Sequence, residues 1–230
     1  MQAPVRNVLE WNSITEDGAV PLLLIRHGQT SWNKERRFLG RSDIPLDSEG
    51  RAQAVAAAAA IKHIPLSGLY SSPLSRAWAT AEIIADGRTT SIQRVDDLQE
   101  LHQGELEGQP GHALRDRYPE FLTSWIEDPT HTRCPGGETL DECRSRSVAA
   151  VHAIMKKHIP GEPVAIVSHR MAIGCIICDT LGLPLRFNAL IGQRNTAINL
   201  LSWKHQTLRL HRLNEASHLG AQPPLPAMDA

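Results

Sequence analysis

Two short apolar runs constrain the fold of this chain most. The first is followed by an arginine and a histidine, and the second by a serine and a histidine. They are PLLLI at 21–25 and PVAIV at 163–167. Neither run alternates with polar residues, and short continuous runs of this kind are typical of strands covered on both faces. Helical patterns and further strands alternate between them. The sequence therefore predicts an α/β fold, a three-layer sandwich with a mainly parallel sheet and helices on both faces.

Capping and periodicity signals predict the other elements. Helices are expected over 48–64, from a Ser71-Ser72-Pro73 start to about Asp86, from the capping box Thr139–Glu142 to His158, and over 171–181 with Gly182 after its end. Strands are expected over 68–70 and 91–95, followed by a hairpin formed by 196–203 and 207–213.

Length and charge narrow the domain organisation and the class of ligand. A chain of 230 residues with 41% hydrophobic content suits one domain, predicted at 20–213 between an N-terminal extension (1–19) and a Pro-rich C-terminal tail (214–230). With 24 Lys plus Arg against 25 Asp plus Glu, the net charge is −1. Such a balance gives no general attraction for nucleic acid or anionic membranes, so we expect neither as a partner and predict a small-molecule ligand bound by local charges.

The four cysteines are sparse and are predicted to be reduced thiols. Cys175 and Cys178 have CxxC spacing, but they lie in an apolar run and are predicted to be small buried residues of a helix. No stretch approaches the roughly 20 apolar residues that span a bilayer, and no basic segment followed by an apolar run opens the chain. We therefore expect a cytoplasmic location. The sequence leaves open whether the chain forms a homodimer.

Basic residues follow three of the predicted strands. Ligands of open α/β sheets bind beyond the carboxyl ends of strands, which is where Arg26-His27, Arg76 and His169-Arg170 stand. A cation in the first turn of a helix is unfavourable by about 0.3–1 kcal/mol at a surface site, unless an anion lies nearby. Taken singly, Arg76 suits a solvated surface charge, Arg26 an ion pair and His169 a core histidine. Together at one sheet edge they favour a phosphate site.

Five blocks of sequence then resemble one known family. They are LIRHGQTSWNKERRFLGRSDIPL at 24–46, SSPLSRAWATAE at 71–82, LQELHQGELEG at 98–108, PGGET at 135–139 and VSH at 167–169. In this order they closely resemble the histidine phosphatase superfamily, which includes the cofactor-dependent phosphoglycerate mutases. The resemblance implies a phosphoglycerate mutase-like fold and a phosphohydrolase that forms a covalent phosphohistidine without a metal or another cofactor.

The resemblance also implies a role for individual residues. It makes His27 the nucleophile, Glu100 the proton donor and Arg26, Arg76 and His169 the other walls of a phosphate pocket, with Gln29, Thr30 and Asn33 as substrate contacts. This chemistry suits the residue types, because a neutral imidazole attacks phosphorus and fixed cationic donors stabilise the phosphoryl oxygens. From the residues alone, the proton donor could be any acid of this region, and the resemblance selects Glu100. The others are interpreted as solvated charges: Asp96, Asp97, Glu105 and Glu107.

Two departures from the family pattern concern the substrate end of the site. Leu39 stands where many phosphatase members carry Gln, and Arg170 where many carry Gly. Arg170 is a candidate substrate-binding residue, with a side chain directed away from the cleft as the equal alternative. Three functions remain: a phosphomonoesterase for a small metabolite, with phosphoproteins as a variant; a phosphoglycerate mutase; and a weakly catalytic sensor of phosphorylated ligands.

Overall fold

The computed structural model describes residues 18–220, so most of the predicted N-terminal extension and the Pro-rich end of the tail lie outside the described residues. Within that range a six-stranded sheet has the order β3-β2-β4-β1-β5-β6. The strands are β1 (Val20–Arg26), β2 (Gly68–Ser71), β3 (Ile92–Arg94), β4 (Val164–Ser168), β5 (Ile198–Lys204) and β6 (Thr207–Glu215).

Four neighbouring strands of this sheet are parallel. β1 pairs with β4, β4 with β2, and β2 with β3, all in parallel, while β5 and β6 form an antiparallel hairpin beside β1. The predicted mainly parallel sheet is therefore confirmed. Because β1, β2 and β4 run in the same direction, their carboxyl ends meet at one edge of the sheet.

Helices cover both faces of the sheet. The α-helices of the described residues are α1 (Ser31–Lys34), α2 (Ser48–Ala60), α3 (Ser75–Ala85), α4 (Leu114–Arg117), α5 (Pro119–Glu127), α6 (Leu140–Met155) and α7 (Arg170–Leu181). Residues of α6 and α7 share one core with Leu22 and Leu24, whereas residues of α3 share the second core with Leu23 and Ile25. Successive residues of β1 thus enter opposite cores, as the alternation of a strand requires, and the three-layer prediction is confirmed.

Tertiary contacts move several helix ends from their predicted positions. Helix α3 begins at Ser75, not at Pro73: the Ser75 N–H donates to Asp43 Oδ1 at 2.7 Å, and the Ser72 hydroxyl lies 2.7 Å from His169 Nε2. Helix α2 ends at Ala60, and the Arg88 guanidinium binds the carbonyl oxygens of Ile61 and Ile64 in the turn that follows. The sequence reasoning also missed α4 and α5, and it ended β6 two residues early.

The cysteine prediction agrees with this packing. Cys134, Cys143, Cys175 and Cys178 are free and buried, and Cys175 and Cys178 lie inside α7 with no exposed surface. Burial raises the pKa of the Cys178 thiol, which keeps the thiol neutral. Among the helices of residues 18–220, none is both long and apolar enough to cross a membrane.

Candidate active site

The residues that follow β1, β2 and β4 meet at the carboxyl edge of the sheet. Arg26 stands opposite Ser168 in the strand register, and the His27 backbone N–H donates to the Ser168 carbonyl oxygen at 3.0 Å. The His27 and His169 rings lie 5.1 Å apart between centroids. Two histidines that the sequence separates by most of the chain are thus fixed side by side by backbone pairing.

His27 is buried and is oriented by its own loop. Its Nδ1 donates to the Gly28 carbonyl oxygen at 2.6 Å, so Nε2 carries the lone pair of the neutral ring. Burial, together with the positive charges of Arg76 and Arg26, lowers the pKa of His27 well below 6.5. The ring is therefore a neutral base near pH 7. Gly28 is needed because a Cβ there would lie 2.3 Å from the Gly50 carbonyl oxygen.

His169 is held by a serine that sequence reasoning assigned to a helix cap. Its Nε2 lies 2.7 Å from the Ser72 hydroxyl oxygen, whereas its Nδ1 is buried and has no partner. Burial and the Arg76 charge lower the pKa of His169 well below 6.5. When Ser72 donates to Nε2, the neutral ring carries its proton on Nδ1, which is then a donor with nothing to donate to.

Arg76 occupies the first turn of α3, as predicted, but it is not a solvated surface charge. The side chain is fully buried, and its two terminal nitrogens donate to the carbonyl oxygens of Gly40 and Ser42, each at 2.7 Å. Its Nε has no partner. Burial lowers the pKa of Arg76 to about 10, so the guanidinium remains a cation at neutral pH.

Arg26 is bound by the loop that precedes β5, and not by the ion pair that was one interpretation of its position. One terminal nitrogen donates to the Gln193 carbonyl oxygen at 2.5 Å, and its buried Nε has no partner. Burial and the charge of Arg170 lower the pKa of Arg26 to about 10. The guanidinium therefore stays charged beside a second arginine.

Unsatisfied buried donors are concentrated in this cluster. Five side-chain nitrogen or oxygen atoms of residues 18–220 are buried without a hydrogen-bond partner, and three of them are Arg26 Nε, Arg76 Nε and His169 Nδ1. A buried donor without an acceptor costs about 1–3 kcal/mol, so such groups are rare and call for a reason. An oxyanion beside His27 is the kind of acceptor that this cluster lacks.

The Glu100 side chain is only 7% exposed and lies against the first turn of α7, the helix that follows His169. Its Oε1 accepts the backbone N–H groups of Leu101, Met171 and Ala172 at 2.9–3.2 Å. Met171 and Ala172 belong to the first turn of α7, where the free N–H groups and the helix dipole favour an anion. The carboxylate is thereby fixed one turn from His169.

Glu107 is the one acid for which the solvated interpretation was wrong. Its carboxylate accepts the backbone N–H groups of Arg41 and Ser42 at 2.9 and 2.8 Å, and the Ser42 hydroxyl at 2.6 Å. This holds the loop whose carbonyl oxygens bind Arg76. A signal was available, because Gly40-Arg41-Ser42 offers several adjacent N–H groups that one carboxylate can accept together.

The predicted substrate contacts in the loop after β1 are already engaged within the protein. The Gln29 N–H donates to the Gln53 side chain, and the Gln29 amide donates to Asp47. Thr30 and Asn33 form a capping box at α1, in which each bonds the other's backbone N–H. A substrate would have to exchange these bonds to use those groups.

Asn195 joins this region to His27, although no sequence signal pointed to it. Its amide nitrogen donates to the His27 carbonyl oxygen at 3.2 Å and to Asn33 Oδ1 at 3.3 Å. Arg170 lies at the start of α7 and donates to the Ala189 carbonyl oxygen at 3.3 Å. Burial lowers the pKa of Arg170, and the nearby Glu100 charge opposes that effect.

Comparisons with known proteins identify the family to which this chain is similar. A model of the histidine phosphatase superfamily (branch 1) matches residues 22–216. The probable phosphoglycerate mutase GpmB of Cronobacter sakazakii is 33% identical over 211 residues, which cover 90% of this chain and 96% of that protein.

Two solved phosphatase structures share the fold. Mycobacterial glucosyl-3-phosphoglycerate phosphatase, solved with VO3, is 30% identical, with a TM-score of 0.77 over 86% of this chain and 100% of its own. Phosphoserine phosphatase of Entamoeba histolytica, solved with phosphoserine, is 28% identical, with a TM-score of 0.75 over 87% and 99% of the two chains.

Proposed function

This chain belongs to the histidine phosphatase superfamily, and we propose that it is a phosphomonoesterase that hydrolyses a small phosphorylated metabolite through a phosphohistidine on His27. The observation that carries the proposal is the set of three buried donors without partners, Arg26 Nε, Arg76 Nε and His169 Nδ1, around a neutral imidazole. A phosphoryl group accepts hydrogen bonds from several directions at once. It therefore suits this cluster better than a carboxylate alone does.

The first half of the proposed reaction forms the covalent intermediate. The lone pair of His27 Nε2 attacks phosphorus, and the bond from phosphorus to the ester oxygen breaks. Glu100 gives a proton to the departing alkoxide. Arg26, Arg76 and His169 stabilise the charge on the phosphoryl oxygens, which is the task that a metal ion performs in other phosphatases.

The second half restores the enzyme. Water attacks the phosphohistidine, the Glu100 carboxylate takes a proton from that water, and the phosphorus–nitrogen bond breaks to leave inorganic phosphate and neutral His27. The hydrogen bond from His27 Nδ1 to the Gly28 carbonyl oxygen keeps Nε2 aimed at phosphorus in both halves.

Phosphoglycerate mutase is the second candidate, because several curated relatives at 32–33% identity are named as probable phosphoglycerate mutases. A mutase returns the phosphoryl group to another hydroxyl of the substrate, whereas a phosphatase gives it to water. The named phosphatase neighbours favour hydrolysis. The third candidate is a sensor that binds a phosphorylated ligand without turnover. Such a sensor would not need both His27 and Glu100.

Arg170 supports a substrate that carries a carboxylate near its phosphate ester. Its charge contributes to the lowered pKa of Arg26, which is one wall of the proposed phosphate pocket. Phosphoglycerate, glucosyl-3-phosphoglycerate and phosphoserine, which the names of the three relatives contain, all have such a carboxylate. A guanidinium pairs well with a planar carboxylate.

The test is a panel of phosphate monoesters, assayed for phosphate release with EDTA and with or without 2,3-bisphosphoglycerate. We expect metal-independent hydrolysis that does not need 2,3-bisphosphoglycerate. Isomerisation of phosphoglycerate that depends on it would establish the mutase instead, and activity that EDTA abolishes and Mg²⁺ restores would contradict the mechanism.

An Arg170→Ala variant in the same panel tests the substrate class. Loss of a charge-assisted contact of about 1.5–3 kcal/mol should lower kcat/KM roughly tenfold to a hundredfold for carboxylate-bearing esters only. An equal loss on an aryl phosphate that lacks a carboxylate would show that Arg170 does not select the substrate.

A further inference from the structure

Arg146 is a cation on the side of α6 that faces the protein interior. The buried residues of that helix include Cys143, Ser147 and Ala150, and Arg146 lies on the same face. Its side chain is only 14% exposed, and it donates to two groups of acceptors: a carboxylate on the chain just before α6, and a row of backbone carbonyl oxygens. Neither group of contacts was anticipated from the sequence.

The carboxylate is Glu138, in the PGGET block. Arg146 Nε donates to its Oε1 at 3.0 Å and Nη2 donates to its Oε2 at 2.9 Å, which forms a two-point fork. Although burial alone raises the pKa of Glu138, its hydrogen bonds from Arg146 and from the His102 N–H outweigh this and lower it. Glu138 therefore remains an anion that fixes the plane of the Arg146 guanidinium.

The carbonyl oxygens belong to the chain that leads into Glu100. Arg146 Nη1 donates to the oxygens of Asp97 and Gln99 at 2.8 and 2.7 Å, and Nη2 donates to the oxygen of Glu100 itself at 2.8 Å. One planar group thus holds three carbonyl oxygens within a span of four residues. This stretch has a single 3₁₀ turn at Asp96–Leu98 and belongs to no strand or α-helix. Besides Arg146, the Ser168 hydroxyl donates to the Leu98 carbonyl oxygen at 2.8 Å and Arg41 Nε lies 3.5 Å from the Glu100 carbonyl oxygen, so Arg146 makes most of the contacts that hold it.

We propose that Arg146 is the positioning residue for Glu100: it fixes the backbone from which the proton donor reaches the leaving group. The proposal rests on the function proposed above. Glu138 anchors the guanidinium, and the guanidinium sets the place of the Glu100 Cα. Since a shift of about 1 Å in a reacting group can cost roughly a hundredfold in rate, such a grip has a direct kinetic consequence.

A purely structural arginine would lower activity on every substrate alike, through loss of folded enzyme. A positioning residue for the proton donor predicts a loss that grows as the leaving group becomes poorer, because only a poor leaving group needs the proton. The dependence on the leaving group therefore separates the two roles.

The test compares Arg146→Lys with wild type on an alkyl phosphate and on an aryl phosphate with an acidic phenol. Lysine keeps the charge opposite Glu138 but cannot form the fork. We expect kcat/KM to fall about tenfold to a hundredfold on the alkyl ester and less than about threefold on the aryl ester. Combined with Glu100→Gln, the lysine variant should cause no further loss, because no proton donor is left to position.

Arg144→Gln is the matched control: it lies on the same helix, and its partner is Asp141 in an exposed pair. It should leave both rates unchanged.

If Arg146→Lys does not fold, Glu138→Gln, which loosens the anchor and keeps its shape, carries the same test. Equal losses on both esters, or no loss on either, overturn the proposal for Arg146 alone. A wild-type enzyme that releases no phosphate from either ester overturns the proposed function with it.

Discussion

Backbone pairing in the sheet holds His27 and His169, whereas side chains, above all Arg146 of α6, hold the backbone around Glu100. The backbone of His27 is bonded to Ser168 at the end of β4, and His169 follows the same strand. The backbone before Glu100 has only a short 3₁₀ turn, and two side chains bind its carbonyl oxygens: Arg146 binds three of them and the Ser168 hydroxyl binds that of Leu98. Strand ends thus form one part of the site, and an irregular segment forms the other.

The two parts also differ in how their polar atoms are satisfied. At the strand ends Arg26, Arg76 and His169 each keep one buried donor without a partner. The Glu100 carboxylate instead has partners within the protein, because it accepts the backbone N–H groups of Leu101 and Ala172. The strand ends are therefore arranged to bind an anion as they stand, whereas the proposed proton transfer would require Glu100 to exchange hydrogen bonds.

Among the substitutions that test the two parts of the site, Glu100→Gln should cause the largest loss of activity. An amide keeps an oxygen for the N–H groups of α7 but cannot donate a carboxylic proton. Since general acid catalysis contributes about 10²–10⁴-fold, kcat on alkyl phosphates should fall by that order and kcat on activated aryl phosphates far less. Initial rates on a series of esters with different leaving groups measure this.

Glu105→Gln is the control for that series, because Glu105 is an exposed acid of the same segment. It should behave as wild type on every ester. A Glu100→Gln variant that loses the same factor on all leaving groups would show that Glu100 is not the proton donor, and the contrast between the two parts would disappear.

A smaller effect is expected from Ser72→Ala, which tests whether the strand ends also depend on a side chain. Loss of the hydrogen bond to His169 Nε2 removes about 0.5–1.5 kcal/mol of preference for the ring form with its proton on Nδ1. Activity should fall roughly threefold to tenfold on all esters alike. The ¹⁵N shifts of the His169 ring should report a mixture of the two neutral forms.

Ser71→Ala supplies the comparison, because Ser71 is equally buried and its hydroxyl binds only a backbone carbonyl in this structure. It should leave the ¹⁵N shifts of His169 as they are in wild type. Unchanged shifts in Ser72→Ala would mean that the sheet alone orients His169.

The same contrast explains what could be predicted from the sequence. The runs PLLLI and PVAIV predicted the central strands, and the basic residues after them lie together because parallel strands end at one edge. Glu100 follows no strand, so only the family resemblance pointed to it. Arg146 carried a weaker signal, a charge on the buried face of a helix, but its partners are set by tertiary packing that local patterns do not contain.

The central claim is that the phosphoryl group passes through His27. It is tested most directly by mixing the enzyme with a substrate labelled in the phosphoryl group, denaturing it rapidly in alkali, in which phosphohistidine survives, and locating the label by peptide mass spectrometry. We expect one phosphoryl group on the peptide that contains His27, a label that unlabelled substrate removes, and neither label nor turnover in His27→Ala. A His27→Ala enzyme that turns over like wild type, or a label on another residue, would contradict it.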